Sequence, residues 1–244
     1  MISRIDESSR VLSYVQVESL NPLTRENYAV LTSMDYVYFH GFASSPQSTK
    51  AQFLQQRFRA HGKTLHILDL NQNDFSHLTL TRQIRQGIDW LAERDRLTLI
   101  GSSFGGLTAT WIAQACDRQA KISHLVLLAP AFQFLAQWLP RLGTDTVSNW
   151  QTTGWLGVYH YGMKQQLPLA YDFVVDAQGY DETHLNAPIP TLILHGRHDE
   201  VIDVQVSRDY ASTRPWVKLI ELDSNHSLAN MHEPIWEAIQ AFVG

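Results

Sequence analysis

One cysteine, Cys116, occurs in 244 residues, so no intrachain disulfide can form. It falls in the helix-period stretch after residue 103, where a buried and inert thiol is the expectation. There is no excess of positive charge: 19 Lys and Arg stand against 24 Asp and Glu, for a formal charge of −5. No segment is strongly basic, which argues against nucleic acid or an anionic membrane as the main partner. The longest apolar stretch, Leu125 to Pro140, is broken by Pro130, Gln133 and Gln137 and is too short to span a bilayer. The polar start MISRIDESSRVLSY carries no apolar signal core, so the expected location is cytoplasmic. Linkers, repeats and low-complexity tracts are missing too, which favours one domain over residues 1–244.

What is present is an alternation. VYFH (Val37 to His40), LHIL (Leu65 to Leu68), LTLI (Leu97 to Ile100), HLVLLA (His124 to Ala129), TLILH (Thr191 to His195) and VKLIEL (Val217 to Leu222) read as strands. Their near-continuous hydrophobicity suits a sheet covered on both faces. Helical stripes lie between them: Ala51, Leu54 and Phe58, ended by Gly62; then Leu80, Ile84, Ile88 and Leu91; then Ile235, Ile239 and Phe242 behind Pro234. This predicts an α/β protein with a doubly wound, mainly parallel sheet, whose ligands bind at the carboxyl ends of the strands. Residues 1–35 fit as an extension, with Val15 and Val17 alternating as in an edge strand or hairpin. Residues 132–187 break the rhythm and read as a helical or loop-rich cap holding Trp138, Trp150, Trp155, Tyr159, Tyr161, Tyr171 and Phe173.

Each chemically suggestive residue follows a strand. After LTLI comes GSSFGG (Gly101 to Gly106) and then the helix-period run LTATWIAQA: strand, Gly-x-Ser-x-Gly, helix. That turn lifts Ser103 above the sheet and aims the N–H of Phe104 at the place where an oxyanion would form. After the first strand, HGFASSP (His40 to Pro46) brings the N–H of Phe42 as a second oxyanion donor. After TLILH, HGRHDEVID supplies Asp199 as the acid that would orient a histidine. Asp203 precedes a helical stretch and is expected as its N-cap, with Glu200 as an outside alternative. After the last strand comes His226, the base, completing the order Ser, Asp, His. His195, His198 and Asp199 do not have metal-ligand spacing, and there is no HExxH pair. No Gly-x-Gly-x-x-Gly or Walker loop is present, so no metal and no cofactor is expected.

HGFASSPQSTKA, GSSFGGLTATWIAQ, DEVIDVQVSRDYAS and SNHSL resemble the small bacterial YqiA-like esterases of the α/β-hydrolase superfamily. The likeness runs from about Tyr36 to the C-terminus; the N-terminal extension and the longer, more aromatic insert after Ala131 depart from it. The resemblance implies Ser103 as nucleophile, Asp199 as acid and His226 as base, hydrolysing carboxylic esters or thioesters without a cofactor. The expected partner is a small-molecule ester or thioester. Trp150, Trp155 and Tyr159 of the cap are candidates to line its pocket, weighed against forming the cap's own core. Two other readings stand beside esterase: a thioesterase or another acyl or carbon–carbon hydrolase on the same triad, and a non-catalytic binding protein that keeps the fold.

Overall fold

Apolar runs with no polar alternate cannot leave one face wet, and here they lie side by side between two helical layers. The computed structural model describes residues 34–116 and 121–244. In chain order it opens with β1 (Asp35–Phe39), α1 (Thr49–Ala60), β2 (Leu65–Leu68) and α2 (Leu80–Leu91). Next come β3 (Leu97–Ser102), α3 (Phe104–Ala115) and β4 (Ile122–Leu128). The cap region follows as α4 (Phe134–Leu142), α5 (Thr144–Thr153), β5 (Trp155–His160), β6 (Gln165–Ala170) and α6 (Asp172–Gln178). The chain then returns to the sheet with β7 (Thr191–Gly196), α7 (Val204–Ser212), β8 (Val217–Leu222) and α8 (His232–Val243). The expected N-terminal strand around Val15 and Val17 lies outside the described residues.

The main sheet has the order β2-β1-β3-β4-β7-β8, and every neighbouring pair is parallel. Burial follows that order. Every residue of β3 and β7 is buried, whereas the edge strands β2 and β8 are mostly half-buried. Ala51, Leu54 and Phe58 of α1 pack with Ile235, Trp236 and Ile239 of α8 on one face. Leu80 and Ile84 of α2, Leu107 and Ile112 of α3, and Val206 of α7 cover the other. The chain steps from β1 outward to β2, then back across β1 to β3. The loops leaving β1 and β3 therefore diverge and leave a crevice at their carboxyl ends. No helix among the described residues is long and apolar enough to cross a membrane.

The cap is more regular than the sequence indicated: two helices, an antiparallel β5–β6 hairpin, and a third helix. Gly157 and Pro168 sit opposite one another in the hairpin and mask its strand signal. Period-two alternation is nevertheless there, with Leu156 and Val158 half-buried against the core and Trp155 and Tyr159 exposed.

Candidate active site

Ser103 joins β3 to α3 with φ 53° and ψ −122°, a conformation that costs a non-glycine residue about 1–3 kcal/mol. The surrounding packing holds it there. A Cβ at Gly101 would collide with the backbone of Gly105 and Gly106, and one at Gly105 with the carbonyls of Phe39 and His40. Glycine is required at both positions because β1, β3 and α3 converge in that space. The N–H of Ser103 donates to Leu128 O at 2.9 Å. Its carbonyl accepts from Gly106 at 2.8 Å, Leu107 at 3.2 Å and Ala131 at 3.0 Å.

Three loops bring their side chains together above this turn. Ser103 Oγ lies 3.0 Å from His226 Nε2. His226 Nδ1 lies 2.7 Å from Asp199 Oδ2. A carboxylate can only accept, so Nδ1 carries the proton and Nε2 is free to accept from the serine hydroxyl. The other Asp199 oxygen, Oδ1, accepts from the N–H groups of Val201 (2.8 Å) and Ile202 (2.7 Å). Burial pushes the Asp199 carboxyl up, but the bonds from His195 and His226, the His226 charge and the Ile202 N–H outweigh it. The net result is a carboxyl held far below the usual carboxylate range.

The other two acids take different places. Asp203 Oδ1 accepts from Gln205 N at 2.8 Å and so caps α7, as its position before that helix indicated. Glu200 turns toward the backbone of His226, whose N–H lies 3.3 Å from its Oε2.

The His40-Gly41-Phe42 turn passes close to the serine, since a Cβ at Gly41 would stand 3.3 Å from Ser103 Cβ. Among the described residues, the N–H groups of Phe42 and Phe104 have no protein acceptor. Two donors beside Ser103 are thus left open. The Phe42 ring is the hub of an aromatic cluster, with Trp138 at 5.1 Å, Phe173 at 5.3 Å, Phe134 at 5.6 Å and Phe75 at 5.7 Å between centroids. The cap hairpin is fastened beside it by Tyr161 N donating to Ala43 O at 2.8 Å.

The cap aromatics take different places. Trp150 is wholly buried; its indole N–H donates to Leu169 O at 2.9 Å and its ring meets Trp138 and Tyr171 edge-on. A ring sealed in this way is the cap's own core and has no surface to offer a substrate. Trp155 and Tyr159 are 46% and 45% exposed on the outer side of the hairpin, with His77 and Tyr161 as their ring neighbours. The cap residues that pack on the Phe42 turn are Phe134, Trp138 and Phe173.

Two supporting groups had escaped the sequence reading. His195, fully buried at the end of β7, places Nε2 3.0 Å from Ile202 O and 3.1 Å from Asp199 Oδ2. The Ile202 carbonyl can only accept, so Nε2 carries the proton, and Nδ1 accepts from Ser207 Oγ at 2.7 Å. Asp199 Oδ2 is thereby shared by two imidazoles. The signal was a histidine ending an otherwise apolar strand, four residues before the acid. Lys50 Nζ donates to Ser102 Oγ at 3.1 Å, next to the serine in sequence. Burial pulls this ammonium down to about 8, against the attraction of Asp199. Its only trace in the sequence was its place in the SSPQSTKA string.

A parallel sheet with a strand–serine–helix turn at its centre, and Asp and His loops at the carboxyl ends of later strands, is the α/β-hydrolase fold. The chain belongs to the uncharacterised protein family UPF0227, whose model matches residues 35–243. Solved structures of similar shape include the mouse alpha/beta hydrolase domain-containing protein 10, at 20% identity over 87% of this chain and 90% of that one, with a TM-score of 0.71. Est1E of Butyrivibrio proteoclasticus, solved with ferulic acid bound, is 19% identical over 86% of this chain and 88% of its own, with a TM-score of 0.72. A monoacylglycerol lipase from Paleococcus ferrophilus is 17% identical over 85% and 93%, with a TM-score of 0.67.

Proposed function

We propose that this chain is a serine hydrolase that cleaves small carboxylic esters through an acyl-enzyme. The observation that carries the reading is the unbroken chain from Ser103 Oγ to His226 (3.0 Å) and from His226 to a fully buried Asp199 (2.7 Å), set on a strained elbow. His226 Nε2 takes the Ser103 proton as Oγ attacks the ester carbonyl. The N–H groups of Phe42 and Phe104 receive the developing oxyanion. His226 then protonates the departing alcohol. It next takes a proton from water, whose oxygen attacks the acyl carbon, and returns that proton to Ser103 Oγ as the acyl–oxygen bond breaks, releasing the acid. Asp199 fixes the His226 tautomer and offsets the imidazolium charge without itself taking a proton. The ester-cleaving lipase and the ferulic acid complex among the structural neighbours support the ester class, at the level of fold.

A panel of chromogenic esters tests the proposal. Ser103→Ala should remove turnover by about a million-fold while keeping the thermal transition, and a fluorophosphonate should label Ser103 alone. Undiminished ester cleavage by the alanine variant would overturn it.

A further inference from the structure

A cavity of about 550 Å³ opens beside α3, on the sheet face opposite α1 and α8, and none of Ser103, Asp199 and His226 lines it. Its floor is apolar: Leu107 and Trp111 stand at i and i+4 of α3, above the wholly buried ring of Phe104, with Leu80 at the start of α2. Its walls are aromatic. Phe132 stacks on Tyr210 with centroids 4.4 Å apart and planes at 18°, and Trp111 meets Tyr180 edge-on at 4.9 Å.

The charged part of the lining is mostly negative. Asp181, Glu182 and Asp209 face one cation, Arg214. That guanidinium is already engaged: it lies 4.1 Å from the Tyr210 ring and donates to Leu185 O (2.8 Å), Tyr210 O (2.9 Å), Thr213 Oγ1 (2.9 Å) and Asn186 Oδ1 (3.2 Å). Glu182 is fixed by the Gln133 N–H, which donates to its Oε1 at 2.8 Å. No Lys or Arg is paired with it among the described residues. Burial pushes its carboxyl up to about 7, against the pull of the Gln133 N–H and with help from Asp181.

An anion entering here meets three carboxylates and no free donor cation. A hydrocarbon would fill the floor and leave Glu182 desolvated without a counter-charge, which is unfavourable. A cation on an apolar body satisfies both parts, since ring faces attract it and Glu182 neutralises it. We propose that this cavity binds a small organic ammonium ion carrying an aryl or short alkyl body, with its charge against Glu182 and its body over Leu107 and Trp111. Ser103 does not line the site; the residue that follows it in the chain, Phe104, has its wholly buried ring beneath the floor.

The test is calorimetric titration of the full chain carrying Ser103→Ala, so that the outcome does not depend on the hydrolase reading. The probes are 3-phenylpropylammonium, 3-phenylpropanol and 3-phenylpropionate, which share a body and differ in charge. The ammonium should bind at least about tenfold tighter than the alcohol at pH 8, and the carboxylate weakest of the three. Around Glu182 in the lining are Asp181 from its own turn, which His184 closes, the Gln133 N–H from the cap, and Asp209, Tyr210 and Arg214 on and just after α7. Tyr210 is held up at about 12 and Asp181 is held low, so neither titrates near neutrality. Between pH 8 and pH 6 the ionised fraction of Glu182 falls, and ammonium affinity should fall with it by about tenfold. Glu182→Gln keeps an acceptor for the Gln133 N–H. It should bring the ammonium to the level of the alcohol, leave the alcohol unchanged and remove the pH dependence. Equal binding of ammonium and alcohol, a preference that survives Glu182→Gln, or ammonium binding abolished by prior phosphonylation of wild-type Ser103 would each overturn the proposal.

Discussion

Asp199→Asn is the substitution whose effect this structure dictates most closely. Oδ1 receives two backbone N–H groups, from Val201 and Ile202, and can only be replaced there by the amide oxygen. The amide nitrogen is then forced into the Oδ2 position, facing His226 Nδ1 at 2.7 Å and His195 Nε2 at 3.1 Å. Two donors cannot face one another, so His226 adopts the other tautomer, with Nδ1 accepting and the proton on Nε2. Nε2 then has no lone pair for the Ser103 proton. The expected loss is about four orders of magnitude in turnover, or about 5.5 kcal/mol in the barrier, while substrate binding is kept. Initial rates of ester hydrolysis, together with the rate of fluorophosphonate labelling of Ser103, measure it. Asp203→Asn is the control and should stay within about twofold, because asparagine caps α7 as well as aspartate does. A loss below about tenfold for Asp199→Asn, or a larger loss for Asp203→Asn, would refute the reasoning.

The cap aromatics should separate by burial: Trp150→Ala should cost about 3–5 kcal/mol in urea unfolding, whereas Trp155→Ala and Tyr159→Ala should each cost less than about 1 kcal/mol. A large loss for either exposed ring would contradict the hairpin's orientation. Lys50 gives a pH signature. Its folded pKa, about 8, lies below the ordinary lysine value, so between about 8 and 10 the unfolded chain binds more protons and stability rises with pH. Lys50→Met should lack that rise relative to the wild type, read as unfolding midpoints at pH 7, 8, 9 and 10; parallel curves would refute it. At the acid end the slope has the same sign, because the Asp199 carboxyl is also depressed on folding. Asp199 is depressed, so its contribution is complete above the ordinary carboxylate range and is lost as pH falls through its folded value. Acid unfolding should therefore be shallower in Asp199→Asn than in the wild type.

The elements that were legible in the sequence are those whose residues answer to a single constraint. β2 and β8 match LHIL and VKLIEL residue for residue, because aliphatic residues predominate in both runs even at the half-buried edges of the sheet. The Ser103 turn was legible because three backbones converge there and only glycine fits at positions 101 and 105. The cap was not, because its elements bury side chains against one another instead of against a long sheet. Trp138, Trp150 and Tyr171 form such a core from residues on separate elements, which no periodicity in the chain reveals. His195 was weighed as a metal ligand and set aside, and its real partners, Ser207 and Asp199, are brought to it by the fold of the loop. Pattern reading sees neighbours on one element; it does not see three loops closing on one carboxylate.

The N–H of Ala131 donates to the carbonyl of Ser103 itself, and the N–H of Ser103 donates to Leu128. Ser103 is thus riveted on both sides to the end of β4 and the segment from which the cap departs. Two residues beyond Ala131, Gln133 adopts a left-handed backbone and α4 begins. Whatever the cap does, whether it rocks, lengthens, or is replaced by another sequence, the disturbance meets that fixed point before it reaches the serine. Such a joint lets the roof be rebuilt for new molecules over an unchanged hearth.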